Sequence, residues 1–292
     1  MSHDHTSQKS NVKRVQIALV LTATFMLVEV VGGIISGSLA LLADAGHMLT
    51  DTMALALTAI AFRASVRPAD KKRSFGYQRF QIIAAFVNGL SLLLIVGWIL
   101  IEAVRRFIDP PDVLGQTMLM VAAAGLVVNI VAFFVLHGGD QENLNMRGAA
   151  IHVIGDLLGS VAAIAAAIVI MSTGWMPIDP ILSVVVAMLI LRSAWKLVRR
   201  SAHILLEGAP EWLDVEEMQA RIISTVPGVC GIHHVHVWCQ TPQNLVLTMH
   251  VVLEESVVDV TEVVRSVKQI LKADFGINHS TIEVEKDDCA DH

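Results

Sequence analysis

The chain has 292 residues, of which 54% are hydrophobic and only 16% charged, against about a quarter charged in soluble domains. That balance excludes an ordinary soluble enzyme, a disordered chain and a basic nucleic-acid-binding arm. The net charge of −6 is unevenly spread: residues 207–292 hold 15 of the 27 acids and 5 of the 21 Lys and Arg, a net of −10, which leaves +4 for the rest. Two compartments follow, one apolar and basic, the other acidic and soluble.

A bilayer-crossing helix needs about 20 mostly apolar residues, and six stretches supply them: 15–35, 39–62, 80–101, 117–136, 149–171 and 178–198. Ser36-Gly37-Ser38, the basic run 63–79, Asp109-Pro110-Pro111-Asp112, His137-Gly138-Gly139-Asp140 and residues 174–177 punctuate them. An even number of spans puts both termini on one side. Thirteen Lys and Arg flank the spans there, against Arg105 and Arg106 opposite, so the positive-inside bias places both termini in the cytoplasm. The first span follows a polar segment with no cleavage site after a short apolar core, and it reads as a retained helix. Gly33-x3-Gly37 at its end is a close-packing spacing.

Beyond Arg200 the period changes. Asp214 can cap a helix carrying Val215, Met218, Ile222 and Ile223; 229–239 alternates as a strand and 245–253 reads as a second; 260–271 is amphipathic; 280–285 is a last strand. Helix, strand, strand, helix, strand makes a small α+β domain. The predicted organisation is a His-bearing segment 1–14, a six-helix membrane domain 15–200, a cytoplasmic domain 207–286 and a tail 287–292. Three cysteines, all in the acidic part, form no disulfide framework; Cys230 and Cys239 read as small core hydrophobes.

The second span contains Asp44-Ala-Gly-His47-Met-Leu-Thr-Asp51 and the fifth contains His152-Val-Ile-Gly-Asp156. In both, His and Asp are four apart and share one helix face. A carboxylate at the centre of a span costs about 2.5 to 3.5 kcal/mol on insertion scales, which marks a functional group. Two His and two carboxylates on two helices suit the tetrahedral preference of Zn²⁺. One such motif alone would read equally well as an interhelical polar clamp; two copies favour a metal. Asp44 reads as a group at the mouth of the site, and Glu29, Glu102, Asn129 and His137 as lone polar groups bonding between helices. In the acidic part, His233-His234-Val-His236, His250 and Glu285 fall on or beside strands. Alternation separates His233 from His234 and His236, so the latter two are expected at the sheet surface or a dimer interface.

The six spans, the paired His-x3-Asp motifs, Ser38-Leu-Ala-Leu-Leu-Ala-Asp-Ala-Gly-His47 and Ser74-Phe-Gly-Tyr77 before the third span together resemble the cation diffusion facilitators, over nearly the whole chain and most of all their zinc-exporting branch. The resemblance implies six membrane helices followed by a cytoplasmic ferredoxin-like, metallochaperone-like domain. It implies a homodimer in a bacterial inner membrane that exchanges cytoplasmic Zn²⁺ for external H⁺, with His47, Asp51, His152 and Asp156 as the transport site of each protomer. It also places cytoplasmic zinc ligands at His233, His250 and Glu285, with Cys289 and His292, or His3 and His5, able to complete them. Some members carry a further site in the loop after the second span. This chain has Asp70 but Arg73 and Tyr77 where those members place His, so none is expected here.

Zn²⁺ requires neutral imidazole and ionised carboxylate, so binding releases protons and protonation releases metal, with histidine as the switch near neutral pH. Metal in the cytoplasmic domain would couple the zinc level to transport by favouring one dimer arrangement. The competing readings are an exporter of Co²⁺, Cd²⁺, Fe²⁺ or Mn²⁺, since affinity order alone does not select the metal, and a membrane metal sensor that binds without transport. An intramembrane metallohydrolase is disfavoured, because four ligands fill the tetrahedron and no His-Glu-x2-His motif is present. No enzymatic activity and no nucleic-acid partner are expected.

Overall fold

The computed structural model of the chain describes residues 2–65, 69–137, 144–242, 244–286 and 289. Six long helices come first: α1 (Ser2–Ser36), α2 (Leu39–Ser65), α3 (Phe80–Ile108), α4 (Gly115–His137), α5 (Leu144–Thr173) and α6 (Ile178–Leu205). Their ends fall at the sequence breakers. Gly37 at φ +71° ends α1, Asp109-Pro110-Pro111 follows α3, and Gly174 at φ +68° ends α5. The largest departure is α1, which is helical from Ser2 and not from residue 15; residues 2–14 contain neither Gly nor Pro to stop the helix. α3 and α6 also run on past the predicted span ends at 101 and 198, and α5 begins before 149.

Five of these helices hold spans long and apolar enough to cross a bilayer, and α2 contributes the apolar stretch Leu39–Thr50. Leu94, Phe134, Leu158 and Leu189 stay exposed, as side chains facing lipid do. The chain therefore has six membrane helices. They lie mostly in a unit of residues 1–57 and 87–197. Within it, Leu39 and Ala43 of α2 pack with Leu92, Val96 and Ile99 of α3 and Ala187 and Ile190 of α6. Ala40 and Leu41, on the other side of α2, pack with Met118 and Ala122 of α4 and Ala163 and Ala167 of α5. Small residues at these crossings let helices approach where hydrophobicity alone cannot drive association. At Gly33 a Cβ would come to 2.9 Å from the Leu42 side chain, so this glycine is the packing member of the Gly-x3-Gly pair, whereas Gly37 makes the turn.

The start of α2 is held from α6. Asp179, fully buried, accepts from Ser38 Oγ (2.5 Å), Leu39 N (2.8 Å) and Ala40 N (3.2 Å). It thereby caps the free N–H groups at the head of the helix that carries His47 and Asp51.

The second unit, residues 58–86 and 198–292, contains α7 (Val215–Thr225), β1 (Val229–Thr241), β2 (Asn244–Leu253), α8 (Val260–Ala273) and β3 (His279–Glu285). Asp214 caps α7 by accepting from Glu216 N and Glu217 N, and Asp259 caps α8 through Glu262 N. The sheet has the order β1-β2-β3, antiparallel between β1 and β2 and parallel between β2 and β3, with α8 as the crossover. Met218 and Ile222 of α7, Val267 and Leu271 of α8, and Leu247, Met249 and Val251 of β2 form its core. This is a three-stranded, ferredoxin-like α+β domain. In the same unit, Arg79 pairs with Glu207 at 3.3 Å, and Asn244 donates to Gln78 at 2.8 Å.

Candidate metal centres

His47 lies half-buried on α2 and Asp156 is buried on α5 at 6% exposure. Thr50 Oγ1 donates to the His47 carbonyl at 2.7 Å, a local bond that keeps the threonine hydroxyl satisfied inside the helix. The carboxylate oxygens of Asp44, one turn before His47, lie 3.8 and 3.9 Å from where a Cβ would stand at Gly159. Since Gly159 is one turn from Asp156, the two motif-bearing stretches of α2 and α5 run side by side. The side chains of Asp51 and His152 lie outside the described residues.

A second constellation stands on the sheet. Register pairs His233 of β1 with His250 of β2, and Val252 of β2 with Glu285 of β3. His250 Nδ1 and Glu285 Oε1 are 2.7 Å apart, and His233 Nε2 approaches Glu285 Oε2 to 3.0 Å. The latter two atoms are buried without forming an aligned hydrogen bond, the kind of orphaned contact that a shared cation relieves. Cys289 Sγ lies 3.6 Å from His250 Nδ1 and 3.7 Å from His234 Nδ1. One donor atom from each of His233, His234, His250 and Cys289 falls within 4.8 Å of the others. Three imidazoles and a thiol with a carboxylate beside them suit Zn²⁺ or a softer divalent ion.

The carboxyl of Glu285 is tuned by opposing effects. Burial works against its ionisation, but hydrogen bonds with Cys289 and His250 and the imidazoles of His233 and His250 outweigh it and hold it below the ordinary Glu range. Burial instead pushes the Cys239 thiol up, with Arg200 opposing, as befits an inert core cysteine.

Two expectations are corrected here. His234 does not lie opposite His233. The β1–β2 register breaks between His233 and His236, and His234 adopts φ +47°, so a bulge turns it back beside its neighbour, with ring centroids 5.0 Å apart. A bulge leaves no mark on the hydrophobic alternation, which is why the sequence pattern missed this residue. His236 remains exposed and outside the cluster. Cys230 is exposed, donating to Val252 O at 3.4 Å, and is no core residue. His292 lies outside the described residues.

In the loop after α2, both oxygens of Asp70 are engaged by protein donors: Lys72 N and Arg73 N at 2.8 Å and Tyr77 Oη at 2.6 Å. The Arg73 guanidinium stacks 4.7 Å from the Tyr77 ring centroid. The Tyr77 hydroxyl and these backbone donors lower the Asp70 pKa.

The profile of the cation efflux transmembrane domain matches residues 15–206, and that of the cation efflux protein cytoplasmic domain matches residues 210–287. The chain belongs to the cation efflux family, the cation diffusion facilitators. Among its relatives, "Zinc transporter ZitB" of Pectobacterium atrosepticum is 50% identical over 100% of this chain and 91% of its own length. The Escherichia coli protein of the same name is 48% identical over 99% and 93%. The "Cadmium, cobalt and zinc/H(+)-K(+) antiporter" of Bacillus subtilis is 42% identical over 98% and 92%. As a cation diffusion facilitator the protein is an integral membrane protein of a transporter family.

Proposed function

We propose that this chain is a zinc exporter of a bacterial inner membrane, working as a homodimer with both termini cytoplasmic and exchanging Zn²⁺ for H⁺ by alternating access. The observation that carries this reading is the placement of His47 and Asp156 on adjacent spanning helices in a chain that matches zinc transporters end to end. His47, Asp51, His152 and Asp156 form the transport site. Metal enters when the imidazoles are neutral and leaves when protons from the far side take their lone pairs. Two protons per Zn²⁺ make the exchange electroneutral; one leaves a net outward charge that costs about 2.3 kcal/mol per 100 mV.

The sheet cluster of His233, His234, His250, Glu285 and Cys289 is the cytoplasmic metal site, where zinc favours one arrangement of the dimer. Handling of Cd²⁺ and Co²⁺ besides Zn²⁺ is the second reading, favoured by the cations in the name of the Bacillus subtilis relative. The test is metal uptake into everted membrane vesicles energised by a pH gradient. Export predicts zinc accumulation that collapses when an uncoupler removes the gradient, and cadmium competing with zinc would support the broader reading. Zinc binding to the purified chain without vesicular accumulation would instead make it a sensor.

A further inference from the structure

The transport reading uses four side chains of α2 and α5 and leaves other polar groups buried in the same bundle. Glu29 of α1 is 2% exposed, and its Oε2 has no hydrogen-bond partner among the described residues. Its carboxyl is within hydrogen-bonding reach of Asp44 on α2 and within the electrostatic reach of Asp156 on α5. Glycines make room for these groups. A Cβ at Gly125 of α4 would stand 2.7 Å from the Phe25 ring and 3.4 Å from Glu29 Oε1, and one at Gly159 would stand 3.8 Å from Asp44 Oδ1. One turn beyond Gly125, Asn129 is also 2% exposed; its Nδ2 donates to Ser160 Oγ at 3.3 Å, and its Oδ1 has no partner among the described residues.

These positions share a level in the bundle. Spanning helices alternate in direction, so α2 and α5 run oppositely. Asp44, three residues before His47, and Gly159, three after Asp156, are therefore displaced the same way, toward the end where α1 turns into α2. The groups gathered there offer oxygen atoms, and Glu29 Oε2 and Asn129 Oδ1 have no partner among the described residues. Buried polar groups of this kind inside a membrane bundle are seldom kept without a task.

We propose that Glu29, Asp44 and the Asn129 side-chain carbonyl form a second cation station, built of oxygen donors alone. It lies one helical turn from His47 and Asp156 and takes the divalent ion, still partly hydrated, between the His and Asp ligands and the α1–α2 end of the bundle. This rests on the export reading, in which that end faces outward and the station is the exit step. Oxygen donors hold Zn²⁺ less firmly than imidazole. A weaker second site lets the ion leave a tight one in steps, as conduction through successive sites requires.

The test combines two measurements on the full-length chain: initial zinc uptake into proteoliposomes under a pH gradient, and the number of Mn²⁺ ions bound per protomer in detergent, counted by electron paramagnetic resonance. Mn²⁺ is used because it favours oxygen ligands. The isosteric Glu29→Gln is expected to slow uptake by about tenfold or more, on the scale of losing a group that supports a metal site, and to remove one bound Mn²⁺; Glu29→Asp should recover part of both. Asp44→Asn should behave like Glu29→Gln and decides the matter if that variant fails to fold. Uptake at the wild-type rate in both variants would overturn the proposal. So would lost uptake with an unchanged Mn²⁺ count, which would make Glu29 a proton carrier or a packing residue. Absence of zinc accumulation by the wild type would overturn the export reading instead, and the Mn²⁺ count does not depend on that outcome.

Discussion

Asp156 on a spanning helix and Glu285 on a strand are buried to nearly the same degree, at 6% and 7% exposure, but they keep different company. Around Glu285 the protein supplies imidazoles and a thiol: His250 bonded at 2.7 Å, His233 in contact at 3.0 Å, and a hydrogen bond with Cys289. Near Asp156 the structure adds acids, Glu29 from α1 and, beside Glu29, Asp44 from α2. A site that keeps its ion can be largely balanced by the protein itself. On the proposed export reading, the sheet cluster is the resident site and the Asp156 region lies on the path of the ion.

The largest effect that sharpens this contrast is expected from Asp156→Ala. Removing a ligand of the intramembrane set should lower zinc accumulation in proteoliposomes by about a hundredfold or more, beyond the range seen for groups that only support ligands. Zinc bound at the sheet cluster, counted in the purified chain, should not change. Conversely, His234→Ala or Cys289→Ser should weaken the cytoplasmic site by about ten- to a hundredfold in an equilibrium titration while leaving the transport rate at saturating zinc within about twofold. His236→Ala, outside the cluster, serves as the control with unchanged affinity.

Next in size is Asp179→Ala. It strips Ser38, Leu39 and Ala40 of a buried acceptor and should cost about 3 kcal/mol, read as a lower unfolding midpoint of the detergent-solubilised chain. The pH dependence separates the members of the sheet cluster. Glu285 is held below its ordinary pKa, so what its carboxylate contributes is present above the usual Glu range and lost only as pH falls through the depressed value. Zinc affinity falling between pH 7 and 5.5 must then come from groups other than Glu285. Glu285→Gln should lower the affinity by a constant factor over that window, with an unchanged slope in the titrations. The smallest effect belongs to Tyr77→Phe, which deletes the 2.6 Å bond to exposed Asp70 and should leave the unfolding midpoint of the detergent-solubilised chain essentially where it is.

Much of this architecture was legible in the sequence because helices and lipids impose long, regular signals. Six apolar runs and their Gly and Pro breakers mark the six helices and the breaks between them, and the four-residue His and Asp spacing needs only helical geometry to share a face. Asp214 and the apolar run 245–253 mark α7 and β2 in the same way. What stayed hidden depends on neighbours distant in sequence or on local irregularity. His234 joins the cluster through a bulge and a positive φ, which no period reports. Glu29 looks like a lone polar residue, and its closeness to Asp44 emerges only when α1 and α2 are packed together. Asp179 reads as an ordinary first-turn acid of α6, although its partners are the backbone of α2.

The central claim, that the intramembrane set carries the ion while the sheet cluster retains it, is tested most directly by following radioactive zinc in proteoliposomes bearing either the wild-type chain or Asp156→Ala, each checked for zinc bound at the cytoplasmic cluster. The account predicts that the wild type accumulates zinc against its gradient, whereas Asp156→Ala binds zinc at the cluster and accumulates none. Accumulation by Asp156→Ala at the wild-type rate would contradict it.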